Sequence, residues 1–226
     1  MGNKDSWRRV GAGLCLVGAP LIMLVGFSIQ AGLRAGPYED QLEEVRGATV
    51  RWWTGSAVGL VGLTLLIGTV LAVVHVCRRG GADGFGLIGG TVTMIGLVSV
   101  VAITALELML FVMALPSQDP DAMRTLAVTV DESNRIALLY VVSLGYFVGW
   151  LILAYALHRS RTVPVWVPAV QAVGVVVFAA GIMPGVDALM LIGSALQLVA
   201  LGYLGIQAFQ SAGPWSASPD GVANAT

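Results

Sequence analysis

Six long apolar runs constrain this chain more than anything else in it: Val10 to Leu33, Thr54 to Cys77, Gly86 to Leu115, Ile136 to Leu157, Val165 to Met183 and Ala188 to Gln207. A helix rises ~1.5 Å per residue, so about twenty residues cross the ~30 Å hydrocarbon core of a bilayer. With 57% hydrophobic and only 11% charged residues, there is little polar surface to cover a water-soluble core. The sequence is that of an integral membrane protein, with the lipid bilayer as its first partner. Lipid offers no hydrogen bonds to an unpaired backbone amide, and the runs show neither the strand length nor the alternation of a membrane barrel. The expected fold class is therefore all-α: a polytopic bundle of six transmembrane helices over residues 1–211.

The flanks of the runs give a direction. Lys4, Arg8 and Arg9 precede the first run, Arg78 and Arg79 follow the second, and Arg159 and Arg161 follow the fourth. The positive-inside rule puts these ends, and both termini, in the cytoplasm. The opposite connections hold Arg34, Arg46, Arg51, Arg124 and Arg135, together with Glu39, Asp40, Glu43, Glu44, Asp119, Asp121, Asp131, Glu132 and Asp187. Arginine outnumbers lysine eleven to one, and Gly, Ala and Val dominate, a pattern of GC-rich bacterial coding that points to a bacterial plasma membrane.

The first run begins after basic residues, as a signal peptide does, but it continues past Gln30 and exceeds a cleavable apolar region of about 7 to 15 residues. Leu14 stands before Cys15 where a lipoprotein signal needs a small residue, so this run is expected to be retained and unlipidated. Cys15 and Cys77 both lie near the cytoplasmic ends of their runs, away from any oxidising compartment, and are expected to be packing residues; a redox pair would be expected as a close dithiol.

Both cytoplasmic connections, Arg78 to Phe85 and His158 to Pro164, are too short to fold as domains. The tail from 212 to 226 is rich in Gly, Pro, Ser, Ala and Asn and is expected to be disordered. The two long connections carry helical periodicity. Tyr38, Leu42 and Val45 share one face, and Met123, Leu126, Ala127 and Val130 another, after the helix-start pair Asp119 and Pro120. Each is expected to be a short amphipathic helix on the outer membrane surface. Trp52 and Trp53 sit where interfacial anchors belong, matched by Trp166 on the inner side. Glycines four apart, at Gly55 and Gly59, Gly86 and Gly90, Gly145 and Gly149, and Gly181 and Gly185, let helix backbones approach closely, within the bundle or between chains. Pro20 and Pro184 are positioned to kink or end their helices.

No nucleotide-binding loop, metal-ligand spacing or nucleophile triad occurs, and nothing suggests a cofactor or a nucleic-acid partner. The acidic connections lack the alternating oxygen ligands of a calcium loop. Glu107 is the one acidic residue inside a run. Placing a carboxylate in the membrane costs at least ~2.5 kcal/mol on insertion scales, so its side chain should turn toward the bundle interior. It lies about eight residues, or ~12 Å, below the end of the third run. Thr104 shares its face, and Gln197, Tyr140 and Ser143 fall at similar depth in the sixth and fourth runs. Two readings of this cluster stand open. Glu107 binds a cation, a proton or the polar head of a lipid-like ligand in an outward-facing cavity, or a protonated Glu107 bonds Gln197 and fixes helix packing.

At the other end, His75 with Arg78 and His158 with Arg161 repeat one spacing. They are candidates either to contact an anionic headgroup together or to favour, each separately, a helix C-terminus. These features fit a non-enzymatic binding, accessory or regulatory protein with a lipid-like ligand or a membrane-protein partner. The alternative is a small secondary transporter that uses Glu107.

The segment HRSRTVPVWVPAVQAVG, from His158 to Gly174, reads as helix end, basic turn, Val-Pro-x-Trp and new helix. It resembles the corresponding turn in an uncharacterised bacterial family of six-span membrane proteins, the domain of unknown function numbered four-three-eight-six. The resemblance implies a six-span layout along nearly the whole chain and no particular activity. That family often opens its third span with a neighbouring Arg and Glu, whereas this chain reads GLIGGTVTMIGL from Gly86.

Overall fold

The computed structural model describes residues 3–33, 38–182 and 186–210, and among these residues every regular element is a helix. In chain order these are α1 (Asn3–Gln30), α2 (Tyr38–Gly47), α3 (Thr49–Arg79), α4 (Asp83–Met113), α5 (Pro120–Asp131), α6 (Asn134–Ser160), α7 (Trp166–Ile182) and α8 (Asp187–Phe209). The all-α class is thus observed. Five of the helices, α1, α3, α4, α6 and α8, are long and apolar enough to cross a membrane. The fifth apolar run forms α7, which at 17 residues is shorter. The Pro184 and Gly185 expectations and the tail lie outside the described residues, and Pro20 is carried inside α1 without ending it.

The six apolar helices form a closed ring. α1 packs on α3, α3 on α4, α4 on α6, α6 on α7, α7 on α8, and α8 returns to α1. α7 connects the basic turn at which α6 ends to the start of α8, which lies beside the end of α1. There the Asp187 carboxylate accepts a hydrogen bond from the Gly32 amide at 2.6 Å. Arg51 donates to the carbonyls of Ile29 and Ala31, using charged side-chain donors to satisfy the last carbonyls of α1.

Small residues set how closely the ring closes. On α4 and α6, Gly96 and Gly149 lie so near the facing backbones that a Cβ on either would overlap Tyr146 or Thr93. A Cβ on Gly26 would meet the Gly55 carbonyl of α3 at 3.2 Å, and one on Gly181 would meet the Met190 amide of α8 at 2.7 Å. The regularly spaced glycines therefore serve contacts inside the chain. The cysteines do likewise: Cys77 sits over Gly86 and Cys15 over Gly68.

Packing differs along the ring axis. Toward the basic turns, the interior is filled by Val70, Val73 and Val76 of α3, Trp150, Leu153 and Leu157 of α6, and Leu201 and Leu204 of α8, all essentially inaccessible. Toward the opposite end, a second cluster joins Leu42 and Val45 of α2 and Ala127 of α5 to Trp52, Leu110 and Met113. The two amphipathic helices form as expected, but their apolar faces pack on each other and on α3 and α4. Protein surface, not lipid, takes the buried part of both stripes. Asp119 caps α5, its carboxylate accepting from the Asp121 amide at 3.1 Å, with Pro120 in the first turn.

Candidate functional site

Between the two clusters the ring is hollow. A cavity of about 730 Å³ lies among α1, α3, α4, α6 and α7, beneath α2. Each helix offers it one stripe at the helical repeat: Met23, Phe27 and Gln30 from α1; Ser56, Gly59 and Leu63 from α3; Val100, Ile103, Thr104 and Glu107 from α4; Tyr140, Ser143 and Phe147 from α6. The volume falls within the ~300–1,000 Å³ of small-molecule sites.

The lining is graded along the bundle axis. Gln30, Gln41, Ser56, Thr104, Glu107, Tyr140 and Ser143 supply polar groups toward the α2 end. Seven residues deeper on their helices, about 10 Å away, stand Met23, Leu63, Val100 and Phe147. The floor is aromatic. Phe27 and Phe178 have ring centroids 5.2 Å apart, Phe178 and Phe147 6.2 Å, and Phe147 and Tyr146 5.2 Å, and Tyr146 leads on to buried Trp150 at 6.4 Å.

Four of the five residues picked out by depth or by a shared face meet here: Glu107, Thr104, Tyr140 and Ser143 all line the cavity. Among the described residues, Glu107 supplies its only carboxyl group and is partly buried. Its backbone carbonyl also accepts a hydrogen bond from Trp52 Nε1 at 3.0 Å. Trp52 is fully buried and ties α3 to α4, so it is no interfacial anchor, whereas Trp53 is half exposed. Ser143 donates to the Tyr140 carbonyl at 2.7 Å, as a helix serine can without leaving its turn.

Gln197 is placed elsewhere. It packs over Gly174 of α7 and lines an adjoining, water-sized hollow of about 20 Å³ that shares Met23, Phe27, Tyr146 and Phe178 with the cavity. It lies ten positions from the first residue of α8, Asp187, and Glu107 six from the last of α4, Met113, so the two differ in depth by about 6 Å. Three polar lining residues were not anticipated. Gln30 donates through Nε2 to Ser56 Oγ at 2.7 Å, which joins α1 to α3 at the cavity wall, and Gln41 comes from α2 above. Their depth was readable, but the direction each side chain faces was not.

At the basic end, His75 of α3 and His158 of α6 are both exposed. Arg78 Nε lies 3.8 Å from the Asp83 carboxylate, and the Arg159 guanidinium sits 5.1 Å over the Phe85 ring. Arg161 ends α6 in the left-handed conformation at φ 51°. The turns that follow the two histidine-bearing helix ends touch, since a Cβ on Gly80 would overlap Ser160 and Thr162. Among the described residues, no group of three or more His, Cys, Asp or Glu side chains is placed to hold a metal ion.

No protein-family model matches the chain, and no curated protein or solved structure does either.

Proposed function

We propose that this is a non-enzymatic, multi-pass protein of the bacterial plasma membrane that holds a lipid-like amphiphile in its hollow half, as a binding, accessory or regulatory component. The cavity carries the proposal: its polar groups gather at one level around Glu107 and its apolar floor lies about 10 Å beneath, the layout of a headgroup and a chain. A carboxylate beside amide and hydroxyl oxygens favours a head that donates hydrogen bonds, such as an amine or a polyol.

Six crossings with both termini in the cytoplasm fit this reading. The passage of α7 from the basic turns to the start of α8 supports a sixth crossing, although 17 residues cover only about 26 Å. The basic turns and the N-terminal arginines then share the inner side, and the hollow half faces outward. The resemblance around His158 to Gly174 belongs to the same proposal and supplies a layout, not an activity.

Thermal unfolding of the purified protein tests the site. Single-chain amphiphiles with amine or polyol heads are expected to raise the midpoint by about 5 °C at saturating concentration. Glu107→Gln and Glu107→Leu should remain folded and lose most of that rise. A wild-type protein indifferent to every amphiphile would defeat the proposal. Substrate-dependent proton or cation movement in proteoliposomes, abolished by Glu107→Gln, would favour the transporter reading instead.

A further inference from the structure

One wall of the cavity differs from the rest. Five of the six seams of the ring bring a glycine against the neighbouring helix: Gly26 on α3, Gly86 on α3, Gly96 on α6, Gly181 on α8 and Gly205 on α1. Among the described residues no glycine makes such an approach between α6 and α7. Gly145 and Gly149 of α6 face α4, and Gly174 and Gly181 of α7 face α8, so only side chains span this seam. It is also the least extensively packed of the six. Phe147 and Phe178 meet across it at the cavity floor.

Between that aromatic pair and the α2 end, the seam does not close. Val141 and Leu144 of α6 line the cavity and are also 62% and 46% exposed, and Ile182 of α7 lines it at 43%. Val141 and Leu144 continue the outward stripe of Val148, Leu151 and Tyr155 on the same helix. Cavity and lipid-facing surface are therefore continuous at this point, while Gln41 of α2 stands over the aqueous end.

We infer that the gap between α6 and α7, above Phe147 and Phe178, is a lateral portal through which the acyl chain of a bilayer amphiphile enters the cavity directly from the membrane leaflet. This rests on the amphiphile reading and deepens it: the ligand is a membrane lipid, delivered sideways, rather than a solute arriving from water past α2. An apolar rim of Val141, Leu144 and Ile182 suits a chain that never leaves hydrocarbon. The polar groups around Glu107 then meet the head at the depth where it already lies.

The test reconstitutes the full chain in phosphatidylcholine vesicles containing a phospholipid with a diazirine in its acyl chain, followed by irradiation and mapping of adducts by mass spectrometry. Wild-type protein is expected to carry adducts on the floor residues Met23, Leu63 and Val100, and on the outward stripe of α3 at Ile67 and Leu71. Plugging the rim with Leu144→Trp and Ile182→Trp should lower floor labelling at least about fivefold and leave the α3 stripe unchanged. Widening it with Leu144→Ala and Ile182→Ala should raise floor labelling, which keeps the test decisive if the plugged protein does not insert. Floor labelling that ignores both changes would overturn the portal and leave the amphiphile site standing. Labelling of the α3 stripe with none on the wild-type floor would overturn both.

Discussion

The two halves of the ring are built from the same helices and differ in what fills the middle. Toward the basic turns, Val70 of α3, Trp150 and Leu153 of α6 and Leu201 of α8 are buried together in one cluster, with no more than a water-sized hollow of about 20 Å³ beside Leu201. Toward α2 and α5, the same α3 and α6 turn Ser56, Gly59, Tyr140 and Ser143 toward the centre, and a cavity of about 730 Å³ remains. Close packing is the default of a folded interior, so a void this large is maintained against the dispersion contacts that closing it would gain. The aromatic floor and the second cluster under α2 bound the cavity at its two ends.

That contrast can be broken most sharply by truncation. Trp150→Ala in the packed half should cost about 3–5 kcal/mol of unfolding free energy, whereas Leu144→Ala at the cavity rim should cost under about 1 kcal/mol, because that side chain is already half exposed. Unfolding in mixed micelles compares the two, and equal losses would erase the distinction between halves. Next in size, Gly149→Leu forces apart α4 and α6 and should destabilise by about 1–3 kcal/mol, read in the same titration. Trp52→Phe removes the hydrogen bond to the Glu107 carbonyl while keeping most of the ring volume, with an expected loss near 1 kcal/mol. Smallest in stability is Val100→Phe, which adds bulk where there is room. It should move the unfolding midpoint by less than about 2 °C yet abolish stabilisation by an amphiphile; a protein that still responds would place the ligand elsewhere.

Much of this was legible in the chain. The apolar runs matched α1, α3, α4, α6, α7 and α8 to within a few residues at most boundaries, because length and hydropathy alone decide what lipid accepts. Depth was legible in part: counting residues from helix ends brought Glu107, Tyr140 and Ser143 to one level and Thr104 followed from its shared face, and all four line the cavity, whereas Gln197, counted to the same depth, does not. Rotation about the helix axis was not. In a span that is apolar on every side, the sequence does not mark which side is interior, so Gln30 and Ser56 gave no sign of facing each other and Gln197 gave none of facing Gly174. Trp52 misled for a related reason. Two adjacent tryptophans at a helix end both look like interfacial anchors, and only the packing of α2 and α5 over α3 shows that the first is enclosed. The amphipathic faces of those two helices were visible, but an apolar stripe reads alike whether lipid or protein covers it.

A single helix offers the most direct comparison of the halves. Thr93 and Thr104 stand on one face of α4, three turns apart, the first packed against Gly149 and the second lining the cavity. With Cys15 and Cys77 replaced by alanine, Thr93→Cys and Thr104→Cys can each be exposed to a lipophilic maleimide in reconstituted vesicles. The expected result is labelling at position 104 at least about tenfold faster than at 93, because a reagent reaches only the hollow half. Equally slow labelling at both positions would mean that the ring is closed along its whole length, and would contradict the division on which the proposed function stands.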